Sequence, residues 1–329
     1  MKKSLLTVLQ VAVTLGVLFL VFRDPVRRAQ MAEALGQADK WWIAIGVAVG
    51  SLTYIAGVVR FGVLLRVQGI FLPWPRVAGI FMVGLFFNLF GLGATGGDVV
   101  KIFYVLREAG EKKTAAAFTV LMDRVIGLVA LVFMAVGFVT FRYQWLTQTP
   151  ATAALVTAFV IVLAAAMSVI VAAILLAWTG LAERLPAGIP GRTKILELVE
   201  VFQNFGRDGR SLVIALLLSF VAHSAMFLTF YAAGRSLHAG VKLLDLASMM
   251  PIVNTIVSLP ISVAGVGVRE KLFEELLGGL CGVPASLAVL ISIIGFAIGI
   301  FYCVFGGIVY LFFRAPVPAP APAAEIKAP

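Results

Sequence analysis

Charge is what this sequence has least of. Asp, Glu, Lys and Arg make up 13% of its 329 residues, against about 25% in an ordinary soluble domain. With a mean hydropathy of +1.06, such a chain has too little polar surface to coat a water-soluble globule. Two cysteines and two histidines are likewise too few for a disulfide framework or a metal cluster. Cys281 and Cys303 lie in or beside the last hydrophobic run, and His223 and His238 are far from other metal-binding residues. No H-E-x-x-H, Walker A or Ser-His-Asp signature is found. The sequence therefore names no catalytic residue, metal or cofactor, and the expectation is a protein that is not an enzyme.

Long apolar runs are what it has instead. Ser4 to Phe22, Trp41 to Val59, Ser211 to Gly234, Leu246 to Val268 and Leu276 to Phe313 carry almost no charge, and a helix needs about 20 apolar residues to cross the hydrocarbon. A further run lies within Gln144 to Ala182, with Pro150 placed to open its helix. A helix over about Thr114 to Phe141 completes the set. The N-terminus begins like a signal peptide with Lys2 and Lys3, but no small-residue cleavage site precedes Arg23 and Asp24. It reads as an uncleaved first helix. Arg23 to Lys40 reads as a short surface helix before the interface anchor Trp41 and Trp42.

Two apolar segments are abnormal. Residues 76–100 contain Gly84, Gly91, Gly93, Gly96 and Gly97 with Asn88 and Asp98, and residues 246–268 contain Pro251, Asn254, Pro260, Gly265 and Gly267. The second ends in Arg269, Glu270 and Lys271. Backbone that leaves the helical path at membrane depth must be buried in protein or line a wet cavity. The predicted fold is therefore all-α and polytopic, with about six full spans, two broken or re-entrant segments and a weak inverted repeat. It forms a single transmembrane domain over 1–314, followed by an Ala/Pro-rich tail at 315–329 with no packable face. Between Glu183 and Arg210, Ile195, Leu198, Val199, Phe202 and Phe205 fall on one side of a helix over 192–206. That pattern suits a helix lying in the interface or docked on protein. Gly46 with Gly50 and Gly295 with Gly299 read as close helix crossings.

An excess of Lys and Arg, 26 against 16 acidic residues, points to anionic head groups rather than nucleic acid. If both abnormal segments dip in and return, Lys101 to Lys113 and the basic residues from Arg184 to Arg210 share a side with Lys2 and Lys3. The positive-inside rule then puts both termini in the cytoplasm.

The chemistry sits at the two breaks. Each runs from an Asn through small residues to an acidic residue near a basic one: Asn88, Gly96, Gly97, Asp98 and Lys101, then Asn254, Pro260, Gly265, Gly267, Arg269 and Glu270. Asp123 and Arg124, about one turn into their helix by this reading, add a charged pair. A cavity walled by these residues would hold both signs, as a zwitterionic or phosphate-bearing head group requires, and Arg124 and Arg269 are the cations best suited to grip phosphate. The competing structural reading makes each pair an ion pair closing a helix end.

Gly96 to Lys101 (GGDVVK), Asp123 to Gly127 (DRVIG) and Ser258 to Glu270 (SLPISVAGVGVRE) resemble the transmembrane domain of bacterial lysylphosphatidylglycerol synthase/flippase proteins and their stand-alone relatives. The resemblance runs nearly the whole way to Arg314. Lys101 stands where Arg is more usual and Asp123 where Glu is common. It implies a multi-pass bacterial inner-membrane protein that moves an anionic or zwitterionic lipid, or a lipid-linked molecule, between leaflets. In such proteins aminoacyl transfer belongs to a separate soluble domain, so lysyl transfer is not expected. An intramembrane lipid-modifying enzyme and a non-catalytic partner of lipid-synthesis enzymes are the alternatives, and association with a second copy stays open.

Overall fold

A computed structural model describes residues 22–90, 96–110, 112–179, 192–259 and 261–314, together with 12, 14–16, 18 and 19. The N-terminal span over Ser4 to Phe22 falls largely outside the described residues, as do Gly91, Gly93, Pro260 and the 315–329 tail. The described residues form α1 (Pro25–Gly36), α2 (Lys40–Val67), α3 (Trp74–Phe90), α4 (Gly96–Glu108), α5 (Lys113–Leu146) and α6 (Pro150–Trp178). There follow α7 (Arg192–Arg207), α8 (Gly209–Ser236), α9 (Leu243–Ser258), a 3-10 turn (Val263–Gly265), α10 (Val268–Cys281) and α11 (Ala285–Phe312). Helices α2, α5, α6, α8 and α11 are long and apolar enough to cross a membrane, and the protein is a polytopic helical membrane protein.

Local sequence sets the helix ends. Asp39 accepts from the Trp41 N–H at 2.8 Å to start α2. Thr149 and Thr152 form a reciprocal capping box around Pro150, whose missing N–H costs nothing at the first helical position. The surface helix α1 is tied to α10 by Arg27 and Glu274 at 3.1 Å.

Each abnormal segment folds as an antiparallel helical hairpin. In the first, Arg76 pairs with Glu108 at the open end, and Asn88 accepts from the Gly97 N–H at the tip. Between them the helices nearly touch: a Cβ on Gly97 would overlap the Gly84 carbonyl, and one on Gly84 the Lys101 side chain. In the second hairpin, Leu246 of α9 shares a wall with Leu277 of α10, and Met249 and Met250 share one with Phe273. Both hairpins are longer than the apolar segments 76–100 and 246–268 that announce them. The returning arms α4 and α10 carry Asp98, Lys101 and Arg107, and Arg269, Glu270, Lys271, Glu274 and Glu275, so hydropathy alone truncates them.

The hairpins occupy equivalent places in an internal repeat. One unit is α2, the α3–α4 hairpin and α5; the other is α8, the α9–α10 hairpin and α11. Helices α2 and α8 both have 28 residues, α3 and α9 have 17 and 16, and α4 and α10 have 13 and 14. The packing repeats too: α3 lies on α11 as α9 lies on α5, and α4 lies on α5 as α10 lies on α11. Helices α2 and α8 form the central pair and run antiparallel, since Thr53 donates to the Ala222 carbonyl and Thr229 to that of Gly46. The units are therefore inverted relative to one another, with α6 supplying the odd crossing between them. Gly46 and Gly50 lie at this seam, where an added Cβ would come within 3.0 Å of Ile298 and 3.3 Å of Thr229 respectively. In α7, Val201 and Phe205 are buried with Leu64, Met122, Ile126 and Ala215, so this face docks on protein. The side chains of Ile195, Leu198 and Phe202 lie outside the described residues.

Candidate functional site

The charged residues near the breaks gather in two groups. At the first tip, Asn88 in the last turn of α3 presents its side-chain oxygen to the Gly97 N–H at 3.1 Å, supplying an acceptor to the exposed first turn of α4. Gly96 and Gly97 open α4, and Asp98 in that first turn pairs with Arg124 of α5. Arg124 also reaches Asn88 Oδ1 at 3.4 Å. Its side chain is 45% exposed while that of Asp98 is 16% exposed, so the guanidinium is the accessible member of the pair.

Deeper in, Asp123 collects two cations. Arg60 Nε of α2 lies 2.7 Å from Asp123 Oδ1, and Lys101 Nζ lies 3.9 Å from Oδ2. Arg60 also donates to Ser219 Oγ of α8 at 2.8 Å. Lys101 is sandwiched by aromatic faces, 4.1 Å from the Phe81 centroid and 5.4 Å from that of Phe61. Asp123 is the eleventh residue of α5, roughly 15 Å along the helix axis, three turns in rather than the one that the sequence suggested. The helix opens at Lys113, within one residue of the Thr114 start read from the sequence, so the greater depth follows from the residue count along that helix and not from a longer helix. The group holds three cations, Arg60, Lys101 and Arg124, against the two carboxylates Asp98 and Asp123.

The second tip is built differently. Residues 261–267 leave the helical path, with Gly265 at φ +75° and Gly267 at φ +84°, conformations that side chains with a Cβ adopt only under strain. Ala264, at φ +52°, carries such strain. Glu270 sits at the third position of α10, as Asp98 does in α4, and folds back to accept from the Gly267 N–H at 2.5 Å. Its other oxygen accepts from Ser292 Oγ of α11 at 2.8 Å. Glu270 therefore does not pair with Arg269. Arg269 donates instead to the Ala264 carbonyl at 3.0 Å and lies 4.2 Å over the Phe296 ring. Asn254 stands in the same cavity wall as Arg269 and approaches the Met226 sulfur at 3.9 Å.

The two hairpins do not pack extensively on each other, so the residues singled out in the sequence do not converge on one pocket. One face of α8 joins the groups. Ser219 holds Arg60, His223 bonds the Gly127 carbonyl at 3.0 Å, Met226 meets Asn254, and Phe230 lines the cavity of Arg269. These four recur every three or four residues, one side of a helix, over roughly 16 Å. Arg60, Ser219 and Ser292 are functional candidates that the sequence reading passed over. Arg60 was legible as a lone cation in an apolar span; the two serines carry no signal until the fold places them. Among the described residues, no group of three or more His, Cys, Asp or Glu could hold a metal ion.

Comparison with individually curated proteins gave no match. The family model described as the lysylphosphatidylglycerol synthase TM region matches residues 7–307, an interval that contains both hairpins and every residue of both groups. This chain belongs to the lysylphosphatidylglycerol synthase transmembrane-region family.

Proposed function

We propose that the protein carries a phospholipid or lipid-linked molecule from one leaflet to the other, its head group moving past the two hairpin tips while the acyl chains stay in lipid. The observation that carries this reading is the inverted pair of hairpins, each of which brings charged and backbone polar groups to membrane depth. Such paired interruptions in two inverted halves are where carriers build their sites. Arg124 offers an accessible guanidinium at the first tip, suited to a phosphate oxygen. Ser219 and His223 on the linking face of α8 place two polar side chains between the tips. The family is lipid-related, which agrees. The reading places the protein in a bacterial inner membrane with cytoplasmic termini, as its basic residues favour, and it involves no bond-breaking chemistry. Direction then follows the lipid gradient or an ion gradient read by Asp98, Asp123 and Glu270.

The test is reconstitution of the full chain into liposomes with a head-group-labelled phospholipid, scored by a membrane-impermeant quencher. Exchange between leaflets without chemical change is the expected result. Asp98→Asn, Arg124→Gln and Glu270→Gln should each abolish it while leaving folded protein in the membrane. Retained exchange in all three would refute the site, chemical conversion of the lipid would mark an enzyme, and neither exchange nor conversion would leave a binding partner of lipid enzymes.

A further inference from the structure

Among the described residues, three buried side-chain polar atoms have no hydrogen-bond partner in the protein: Thr255 Oγ1, Ser262 Oγ and Arg269 Nη1. They bracket one short loop. Thr255 stands in the last turn of α9, Ser262 in the loop itself and Arg269 at the second position of α10. Buried polar groups are paired in the great majority of cases, so three orphans around one loop mark a conformation that its own bonding does not favour. Backbone strain falls in the same place. Ala264 holds φ +52°, a left-handed conformation that a residue with a Cβ adopts at a cost, and its carbonyl accepts from Arg269 at 3.0 Å. The strained residue is thus the one that keeps the guanidinium buried.

Strain of this kind persists only where the surroundings impose it. The arms on either side are pinned from outside the hairpin: α9 by Asp245 to Arg142 of α5 at 2.7 Å, and α10 by Glu270 to Ser292 of α11 at 2.8 Å and by Glu274 to Arg27 of α1 at 3.1 Å. Residues 261–267 have one hydrogen bond of that sort among the described residues. The hydroxyl of Thr14, a helical residue of the N-terminal run, accepts from the Val263 N–H at 2.9 Å. The first hairpin differs: its tip is bonded through Asn88 to Gly97 and through Asp98 to Arg124, and none of the three orphaned atoms lies there.

We infer that residues 261–267 form a gate with two states, held closed in this structure by Thr14 acting as a strap. In the open state Val263 leaves Thr14, Ala264 returns to an ordinary backbone conformation, and Arg269 loses the carbonyl that holds it. Ser262 and Arg269 then reach water, which offsets the bonds given up and leaves the two states close enough in free energy to exchange. The pinned arms confine the movement to the loop. The inference rests on the carrier reading for its purpose, and it names the element that opens the second tip.

The test is the rate at which a small methanethiosulfonate reagent labels the full-length Ser262→Cys protein in proteoliposomes, with Cys281 and Cys303 replaced by Ala. Ser262 is 7% exposed, so a thiol there reacts only when the loop opens. Adding Thr14→Val, which removes the acceptor and keeps the volume, should speed labelling about threefold to tenfold, the worth of one neutral hydrogen bond. Thr14→Ser keeps the hydroxyl and should leave the rate unchanged. Ala264→Gly lifts the strain of the closed state and should slow labelling about fivefold or more. The opposite signs are the signature, because a merely loosened tip would label faster in both. Labelling that ignores Thr14→Val, or that Ala264→Gly leaves unchanged or accelerates, would overturn the inference. The Ala264→Gly result stands by itself, so it decides the matter even if Thr14→Val misfolds. Leaflet exchange of a labelled phospholipid on the same proteoliposomes separates the two claims. Labelling that follows the variants without any exchange keeps the gate and removes the carrier, whereas exchange with labelling indifferent to the variants does the reverse.

Discussion

Replacing Asp123 by Asn removes one charge and almost no volume, so its effect isolates the electrostatics of the first group. Asp123 is 3% exposed and is the carboxylate that Arg60 reaches at 2.7 Å and Lys101 at 3.9 Å. A pair of unit charges 4 Å apart is worth about 4 kcal/mol at an effective dielectric constant of 20, and the closer Arg60 contact is worth more. Breaking a buried ion pair from one side typically costs about 3–5 kcal/mol, because the remaining charge stays desolvated. Here two cations are stranded. Lys101 can relieve part of that by losing its proton, and Arg60 cannot, so a loss of about 3–5 kcal/mol is the expected net effect. Equilibrium unfolding in detergent measures it, and Asp123→Asn combined with Lys101→Met should recover at least about 1 kcal/mol through the shared partner. A single variant within about 0.5 kcal/mol of wild type would refute the picture of Asp123 as the counter-ion that holds α2, α4 and α5 together.

Gly97→Ala should destabilise the protein by about 1–3 kcal/mol, the usual cost of overpacking, because the new Cβ meets the Gly84 carbonyl rather than a yielding side chain; thermal unfolding reads it directly. Asn88→Ala removes the acceptor for the Gly97 N–H and should cost about 1 kcal/mol as a lost cap, with faster hydrogen exchange confined to the first turn of α4. Gly267→Ala forces a Cβ into φ +84° and should cost about 1–3 kcal/mol, seen as a lowered unfolding midpoint, while the same change at the helical Gly16, where an added Cβ meets nothing, should not lower it, since alanine favours the helix by about 0.5–1 kcal/mol.

How far the sequence reached is clearest at the hairpins. Glycine crowding near Asn88 and the Pro and Gly residues after Asn254 marked the breaks, because a lipid-facing helix has no use for them. The charges that followed hid the returning arms, since Asp98, Lys101 and Glu274 read as loop on a hydropathy scale until α5, α10 and α1 supply their partners. The inverted repeat was visible only as a matching order of residue types, with unequal spacing from Asn to acid. The fold gives the reason: Asp98 and Glu270 both occupy the third position of their helices, but nine residues separate Ser258 from Val268 and lengthen the second tip. The separation of the charged residues into two groups, where the sequence suggested one shared cavity, was not legible at all. Nothing in a one-dimensional pattern says that Asp123 takes Arg60 together with Lys101, or that α8 lies between the groups.

The central claim is that the two hairpins enter the membrane from opposite faces. Arg107 marks the open end of the first and Lys242 that of the second, and both are exposed. In a background with Cys281 and Cys303 replaced by Ala, Arg107→Cys and Lys242→Cys proteins in sealed, oriented vesicles should react with a membrane-impermeant thiol reagent from opposite sides. Labelling of both positions from the same side would contradict the inverted architecture and the carrier built on it.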